Sequence, residues 1–242
     1  MALTWKKLLG AGLIGLVASQ YAVAKDGWEV SLHTGTSFSK NETLNIHYNG
    51  TGGDIYIPDA DLETRPFTTP FFYGLRVGKW TDNTAWEFEH IHQKIYLKEA
   101  TEDLYPTLDN FEITDGYNLF YFNRAWNLEE YGIITRVGLG FVVVHPDITI
   151  DGIRYHKEGG GAVPLIWQTD SGYQWAGYSA QVAVEKEFQI YDNWYLSLEG
   201  KLTHSSADID IEDPDTDVKM GSFDLPNTAI HLMVGVTYHF GN

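Results

Sequence analysis

Residues 227–240 read NTAIHLMVGVTYHF, and this stretch decides the fold class. Every second position from Ile230 to Phe240 is apolar, and polar residues such as His231 and Thr237 stand between them. Alternation at period two is typical of a β-strand with one apolar and one polar face. Strands of ordinary globular proteins average about five or six residues, whereas a tilted strand needs about 9–11 residues to cross a bilayer. The stretch therefore predicts a transmembrane strand.

Seven further segments alternate in the same way. They comprise residues 28–38, 71–80, 84–97, 116–126, 131–144, 173–188 and 194–206. Short turns at 81–83, 127–130 and 189–193 alternate with long polar connections at 39–70, 98–115, 145–172 and 207–226. This order places every turn at one end and every loop at the other, as in bacterial outer-membrane barrels. The predicted fold is all-β: an eight-stranded antiparallel up-and-down transmembrane β-barrel with four long extracellular loops.

The N-terminus has the three parts of a secretory signal peptide. Lys6 and Lys7 precede an uncharged run at 8–17, and the small residues Ala22 and Ala24 follow it. The apolar run is too short to span a bilayer as a helix. We therefore predict a signal peptide at 1–24, a barrel at 25–242, and a location in the cell outer membrane.

The composition excludes several classes of function. The chain has 33 acidic and 16 basic residues and a net charge of −17, which argues against nucleic acid as a partner because neutralising phosphates needs a basic face. It has no cysteine, which excludes disulfides, thiolate metal sites and cysteine nucleophiles. We expect a monomer whose main partners are outer-membrane lipid and lipopolysaccharide.

The polar face of the strands must point into the barrel, since a charge facing the bilayer midplane costs roughly 2–4 kcal/mol. An eight-stranded barrel is narrow enough for side chains to fill it. The residues expected inside as a salt-bridged plug are Arg76, Glu87, Glu89, Arg136, Gln181, Glu185, Glu199 and Lys201. The alternative for these carboxylates is a general acid–base pair. An aromatic girdle is predicted near the turns from Trp80, Trp86, Trp126, Tyr131 and Trp194.

Two stretches raise the question of a metal. His90 and His92 lie on one strand face, but a metal site needs a third ligand that the sequence does not identify, and we interpret them as interfacial histidines. The acidic run at 208–217 lacks the glycine and terminal glutamate of an EF-hand loop. It is interpreted as a solvated loop, which divalent cations could bridge to lipopolysaccharide phosphates. No cofactor and no metal site is predicted.

The last strand ends in a stretch that carries targeting information. Residues 235–240, GVTYHF, resemble the C-terminal assembly signal of outer-membrane barrels, in which apolar residues alternate and an aromatic residue comes late. The family pattern ends on that aromatic residue, whereas Gly241 and Asn242 follow Phe240 here. The resemblance implies that the barrel assembly machinery is a partner during biogenesis.

A second resemblance concerns chemistry. The stretches 204–207 (HSSA) and 225–227 (LPN) resemble motifs of the PagL-type lipid A 3-O-deacylases, which are eight-stranded outer-membrane barrels. The resemblance implies that His204 is the general base and Ser206 the nucleophile of a serine ester hydrolase, with Asp224 as the nearest candidate acid. Ala207 stands where the family has asparagine, and no glutamate follows Asn227.

Two hypotheses of function follow. The leading one is a barrel with a packed polar interior that has an envelope-structural or surface-binding role through its long loops. The alternative is a lipid A 3-O-deacylase-like serine hydrolase that acts on lipopolysaccharide in the outer leaflet.

Overall fold

The computed structural model describes residues 24–102, 104–157 and 172–241, so residues 1–23 of the predicted signal peptide lie outside the described residues. The elements are β1 (Gly27–Ser39), β2 (Glu42–Tyr48), β3 (Ile55–Ala60), β4 (Leu62–Glu63), β5 (Tyr73–Thr81), β6 (Thr84–Leu97), α1 (Glu99–Glu102), β7 (Leu108–Leu128), β8 (Ile133–Val144), β9 (Asp147–Ile150), β10 (Ile153–Tyr155), β11 (Gln174–Tyr191), β12 (Trp194–Glu212) and β13 (Lys219–His239). Nothing in these three ranges forms a helix long and apolar enough to cross a membrane.

Eight of the strands close into a ring. Their order is β1, β5, β6, β7, β8, β11, β12 and β13, and all neighbours are antiparallel. β13 then pairs with β1 in a continuous register from Glu29 opposite His239 to Ser39 opposite Ala229. Closure satisfies the backbone groups that an open sheet would leave unpaired at its edges. The predicted eight-stranded barrel is confirmed.

The outer surface of the ring carries a band of exposed apolar side chains. Its members include Leu32, Leu75, Phe88, Phe122, Leu139, Val182, Leu202, Leu232 and Val234. An apolar surface that surrounds a molecule is stable against lipid and costly against water. The bacterial outer membrane is the bilayer spanned by antiparallel barrels of even strand number with short turns at one end and longer connections at the other. The protein is an outer-membrane β-barrel, as predicted.

The girdle prediction is correct for four residues and wrong for one. Trp86, Trp126, Tyr131 and Trp194 are exposed near the short turns. Trp80 is only 1% exposed and lies inside the barrel. On β5 it stands four residues after Arg76, so strict alternation puts both side chains on the inward face.

Within the described residues, the long connections contain more paired strand than the four loops that the sequence predicts. The segment 207–226 is mostly a hairpin, because β12 and β13 stay paired as far as Glu212 opposite Lys219. Its inward residues Ala207, Ile209 and Ile211 continue the period of the strand and are buried, while acidic residues alternate with them. β2 pairs with β13 and β3, β4 pairs with β6, and β9 pairs with β7 and β10.

These extracellular elements enclose one buried hydrophobic cluster with the outer half of the barrel interior. Its members include Leu44, Ile46, Ile57, Leu97, Phe111, Tyr117, Ile148, Ile209, Phe223 and Leu225. Phe111 and Phe223 meet edge to face with ring centroids 5.2 Å apart. The outer half of the barrel is therefore packed like the core of a globular protein.

Candidate functional site

The structure places His204 and Ser206 on the outer wall of the barrel. Both are exposed and share the outward face of β12 with Leu202, which belongs to the lipid-facing band. Ser205 points inward and is buried, with its Oγ 2.8 Å from the Tyr117 hydroxyl and 3.3 Å from the carbonyl oxygen of Asn227. The two residues implied by the deacylase resemblance therefore reach the membrane side and not the interior.

The third residue of that prediction, Asp224, is not brought to His204. In the β12–β13 register, His204 lies opposite Thr228, Ser206 opposite Pro226 and Asp208 opposite Asp224. Four residues along β13 separate Asp224 from the position opposite His204, which is about 13 Å at the rise of a strand. The His204 Nδ1 instead lies 2.9 Å from the Thr228 Oγ1. A hydroxyl and not a carboxylate orients the imidazole.

A shallow groove of about 400 Å³ lies beside His204 on the lipid-facing wall. It is lined by Phe38, Lys40, Leu202, Thr228, Ala229 and Ile230. It forms where β1 ends: the Lys40 N–H still donates to the Thr228 carbonyl oxygen at 2.8 Å, and β2 rejoins β13 only higher up, at Asp224. The groove has an apolar floor and a polar rim at its extracellular end, which suits an acyl chain below a polar headgroup.

An acidic surface continues from this wall onto the extracellular hairpin. Asp208 and Asp224 are exposed and lie directly opposite each other on β12 and β13. On its other side, Asp224 pairs with Asn45 of β2. Like charges directly opposite each other in a sheet are destabilising. The neighbouring Asp210 is ion-paired with Lys219, and this hydrogen bond raises the pKa of Lys219.

The turn of the hairpin is held by local hydrogen bonds. The Asp213 Oδ1 accepts from the backbone N–H of Thr216 at 2.9 Å and from its hydroxyl at 2.8 Å. These bonds, led by the one from the hydroxyl, lower the pKa of the Asp213 carboxyl. The sequence predicts a solvated loop for the acidic run at 208–217. In the structure the run is exposed, but strand pairing and these hydrogen bonds fix its shape.

The predicted salt-bridged plug lies at the centre of the barrel. The Arg136 Nε is 2.8 Å from the Glu87 Oε2, and its Nη1 is 2.6 Å from the Glu185 Oε2 and 3.0 Å from the Glu199 Oε2. The Arg76 Nη1 lies 2.6 Å from the same Glu199 oxygen. The ion-paired side chains are at most 1% exposed, which favours the structural interpretation over a general acid–base pair that a substrate must reach.

The remaining members of the plug also find partners. Lys201 is ion-paired with Glu89 and Glu199, the latter at 3.0 Å. The Gln181 Nε2 donates to the Glu89 Oε2 at 2.7 Å. The plug thus contains three cations and four carboxylates. The cations are Arg76, Arg136 and Lys201, and the carboxylates are Glu87, Glu89, Glu185 and Glu199.

The pair His90 and His92 gains a neighbour that the sequence does not identify. The His90 Nε2 and the His92 Nδ1 each lie 3.0 Å from the Asn118 Oδ1 on β7. Tyr73 stacks on His92 and Phe120 stacks on His90, at centroid distances of 5.2 Å and 4.5 Å. The two histidines face outward but are buried, so they are part of the wall and not of an exposed rim.

One cluster at the turn end was missed from the sequence. Glu29, Glu187 and His239 bring one oxygen or nitrogen atom each to within 4.8 Å of the others. Lys25 lies among them, 7% exposed. Lys25 precedes β1, Glu29 lies on β1, and closure of the ring brings both to Glu187 of β11 and His239 of β13. Their signal in the sequence is the inward period, which Glu29 keeps on β1, Glu187 on β11 and His239 on β13.

Comparison with known proteins adds similarity of shape but no relative in sequence. No protein-family model matches the chain, and no curated protein matches it. The solved structure of the outer membrane protein AlkL in lipid bilayers is 16% identical, with a TM-score of 0.49 and coverage of 94% of this chain and 97% of that one. The outer membrane protein OprG from Pseudomonas aeruginosa is 10% identical, with a TM-score of 0.49 and coverage of 89% and 97%. Neisserial surface protein A is 10% identical, with a TM-score of 0.40 and coverage of 90% and 99%.

Proposed function

We propose that the protein is an envelope-structural, non-porous barrel that binds lipopolysaccharide in the outer leaflet through its acidic extracellular wall. The observation that carries the proposal is the exposed pair Asp208 and Asp224, which stand opposite each other just above the lipid-facing band. A divalent cation between this pair and a lipid phosphate would remove the repulsion, and carboxylate oxygens are the ligands that Ca²⁺ and Mg²⁺ prefer.

The packed interior supports a structural role over diffusion. The plug of three cations and four carboxylates fills the centre, and the hydrophobic cluster fills the outer half. Eight strands enclose a space that side chains can fill. We expect no stepwise ion conductance when the purified barrel is inserted into a planar bilayer.

Binding is tested by co-purification of lipopolysaccharide with the barrel. We expect lipopolysaccharide to remain bound in the presence of Ca²⁺, to be released by a chelator, and to be largely lost in Asp208→Asn/Asp224→Asn. The matched control is Glu130→Gln/Asp192→Asn, which removes two exposed acidic residues at the turn end. Equal retention by the two double variants would contradict the proposal.

A second candidate is a lipid A 3-O-deacylase-like hydrolase. It is favoured by the apolar groove beside His204 and by the shared outward face of His204 and Ser206. In this candidate, the Ser206 oxygen bonds to the ester carbonyl carbon as the bond from that carbon to the lipid A oxygen breaks, and His204 moves the serine proton to the leaving oxygen. Water then hydrolyses the acyl-serine ester, which frees the acyl chain and restores the hydroxyl. The Cα atoms of Ser206 and His204 are about 6.6–7 Å apart, a gap that two side chains leaning toward each other can bridge.

Mass spectrometry of lipid A separates the two candidates. A hydrolase releases an acyl chain, and both Ser206→Ala and His204→Asn abolish the release, whereas Ser205→Ala retains it because Ser205 points inward. Intact lipid A after incubation with the folded wild-type barrel would exclude the hydrolase and leave the structural role.

A further inference from the structure

The turn end of the barrel is closed by a charged cluster at its centre. The Lys25 Nζ lies 2.6 Å from the Glu29 Oε2 and 2.7 Å from the Glu187 Oε2, and 4.7 Å from the centroid of the Trp80 ring. The His239 Nε2 lies 3.2 Å from the same Glu29 oxygen and 3.5 Å from the same Glu187 oxygen. We call Glu29, Glu187 and His239 the mouth triad.

The geometry points to a site for a divalent transition-metal cation of the zinc class in the mouth triad, for which the Lys25 ammonium competes. Zinc bonds to histidine nitrogen and carboxylate oxygen are about 2.0–2.2 Å long, so two ligand atoms of a tetrahedral site are about 3.3–3.5 Å apart. The two nitrogen–oxygen distances of the triad, 3.2 Å and 3.5 Å, are close to this spacing, and all three ligand atoms lie within 4.8 Å of one another.

Charge and hydrogen bonding also leave the triad incomplete. Two carboxylates face one side-chain ammonium, the Lys25 Nζ. The Glu187 Oε1 is buried and has no hydrogen-bond partner among the described residues, and the His239 Nε2 faces the two carboxylate oxygens at 3.2 Å and 3.5 Å. A divalent cation would neutralise both carboxylates and use the imidazole nitrogen as a ligand. An imidazole in the donor set favours zinc-class metals over Ca²⁺, which takes six to eight oxygens.

Lys25 is placed so that it can leave. It precedes β1, which begins at Gly27, and the backbone is held there by the Lys25 N–H donating to the Asn83 Oδ1 at 2.8 Å. Displacement therefore needs a rotation of one side chain and no change in the barrel. The metal and the ammonium exclude each other, because both occupy the space between the same two carboxylate oxygens.

Titration of the folded barrel with ZnCl₂ tests the competition. We expect Lys25→Met to bind Zn²⁺ at least tenfold more tightly than the wild type, and Lys25→Met/His239→Gln to lose this gain. Lys79→Met is the matched control, since Lys79 is an exposed lysine near the same end, 5.8 Å from the Trp28 ring. An affinity that Lys25→Met does not change, or a gain that survives His239→Gln, overturns the proposal.

A measurement on the wild-type barrel is independent of whether these variants fold. The Lys25 amine is buried and ion-paired, so an amine-acetylating reagent should modify its Nζ slowly. Saturating Zn²⁺ should expose it and increase its modification at least severalfold by mass spectrometry, with Lys79 unchanged. Modification of Lys25 that is the same with and without Zn²⁺ overturns the proposal.

Discussion

Replacing Arg136 with leucine is the sharpest test of the barrel interior. The guanidinium contacts three carboxylates within 3.0 Å, and its loss leaves two cations against four carboxylates in the plug. Two charges about 4 Å apart interact with roughly 4 kcal/mol at an effective dielectric constant near 20. Removing one partner of a buried ion pair costs about 3–5 kcal/mol, because the remaining buried charge is left uncompensated. We expect the free energy of unfolding of Arg136→Leu to fall by about this amount.

Urea unfolding in detergent micelles, followed by tryptophan fluorescence, measures the loss. Arg124→Leu is the control, because Arg124 lies on the outer face of β7, where its Nη2 donates to the Thr84 hydroxyl at 2.6 Å. The double variant Arg136→Leu/Glu87→Leu restores the original charge difference and should be more stable than Arg136→Leu alone. If Arg136→Leu is as stable as Arg124→Leu, the ion network does not hold the barrel together and the reasoning is refuted.

Two further outcomes are expected. Because a closed barrel resists detergent, the unboiled protein should migrate differently from the boiled protein on a detergent gel, and identical migration together with recovery in the soluble periplasmic fraction would contradict the fold. Phe223→Ala should destabilise the extracellular hydrophobic cluster by about 3–5 kcal/mol and increase protease cleavage of the hairpin on intact cells, whereas Val218→Ala at the exposed turn should cleave as the wild type does.

The sequence predicts the barrel and its two faces because both depend on local period. Alternation places Arg76, Arg136 and Glu185 on the polar faces of their strands. Because a charge that faces lipid is costly, these faces must point into the barrel. The same rule places Trp80 on the inward face of β5 with Arg76, although its position near a turn is typical of a girdle residue. The strand structure within 207–226 can also be predicted, since Ile209 and Ile211 alternate with acidic residues at period two.

What the sequence does not determine is the register between strands. Asp224 lies three residues before the predicted last strand, but pairing of β12 with β13 puts it opposite Asp208 and leaves His204 opposite Thr228. The partner of His90 and His92, Asn118, depends in the same way on the pairing of β6 with β7. The mouth triad needs the closure of β1 on β13, which is the contact most distant in sequence.

The paired hairpin of β12 and β13 fixes how far the protein reaches from the cell. From Leu202, the last exposed apolar residue of β12, ten residues of unbroken strand lead to Glu212. At about 3.4 Å per residue and a tilt of about 40°, the turn around Asp213 stands roughly 26 Å above the lipid-facing band. A flexible loop of equal length could fold back onto the membrane surface, whereas this paired hairpin keeps its acidic tip at that height. A molecule that approaches from outside the cell would therefore meet this tip before any other part of β12 and β13.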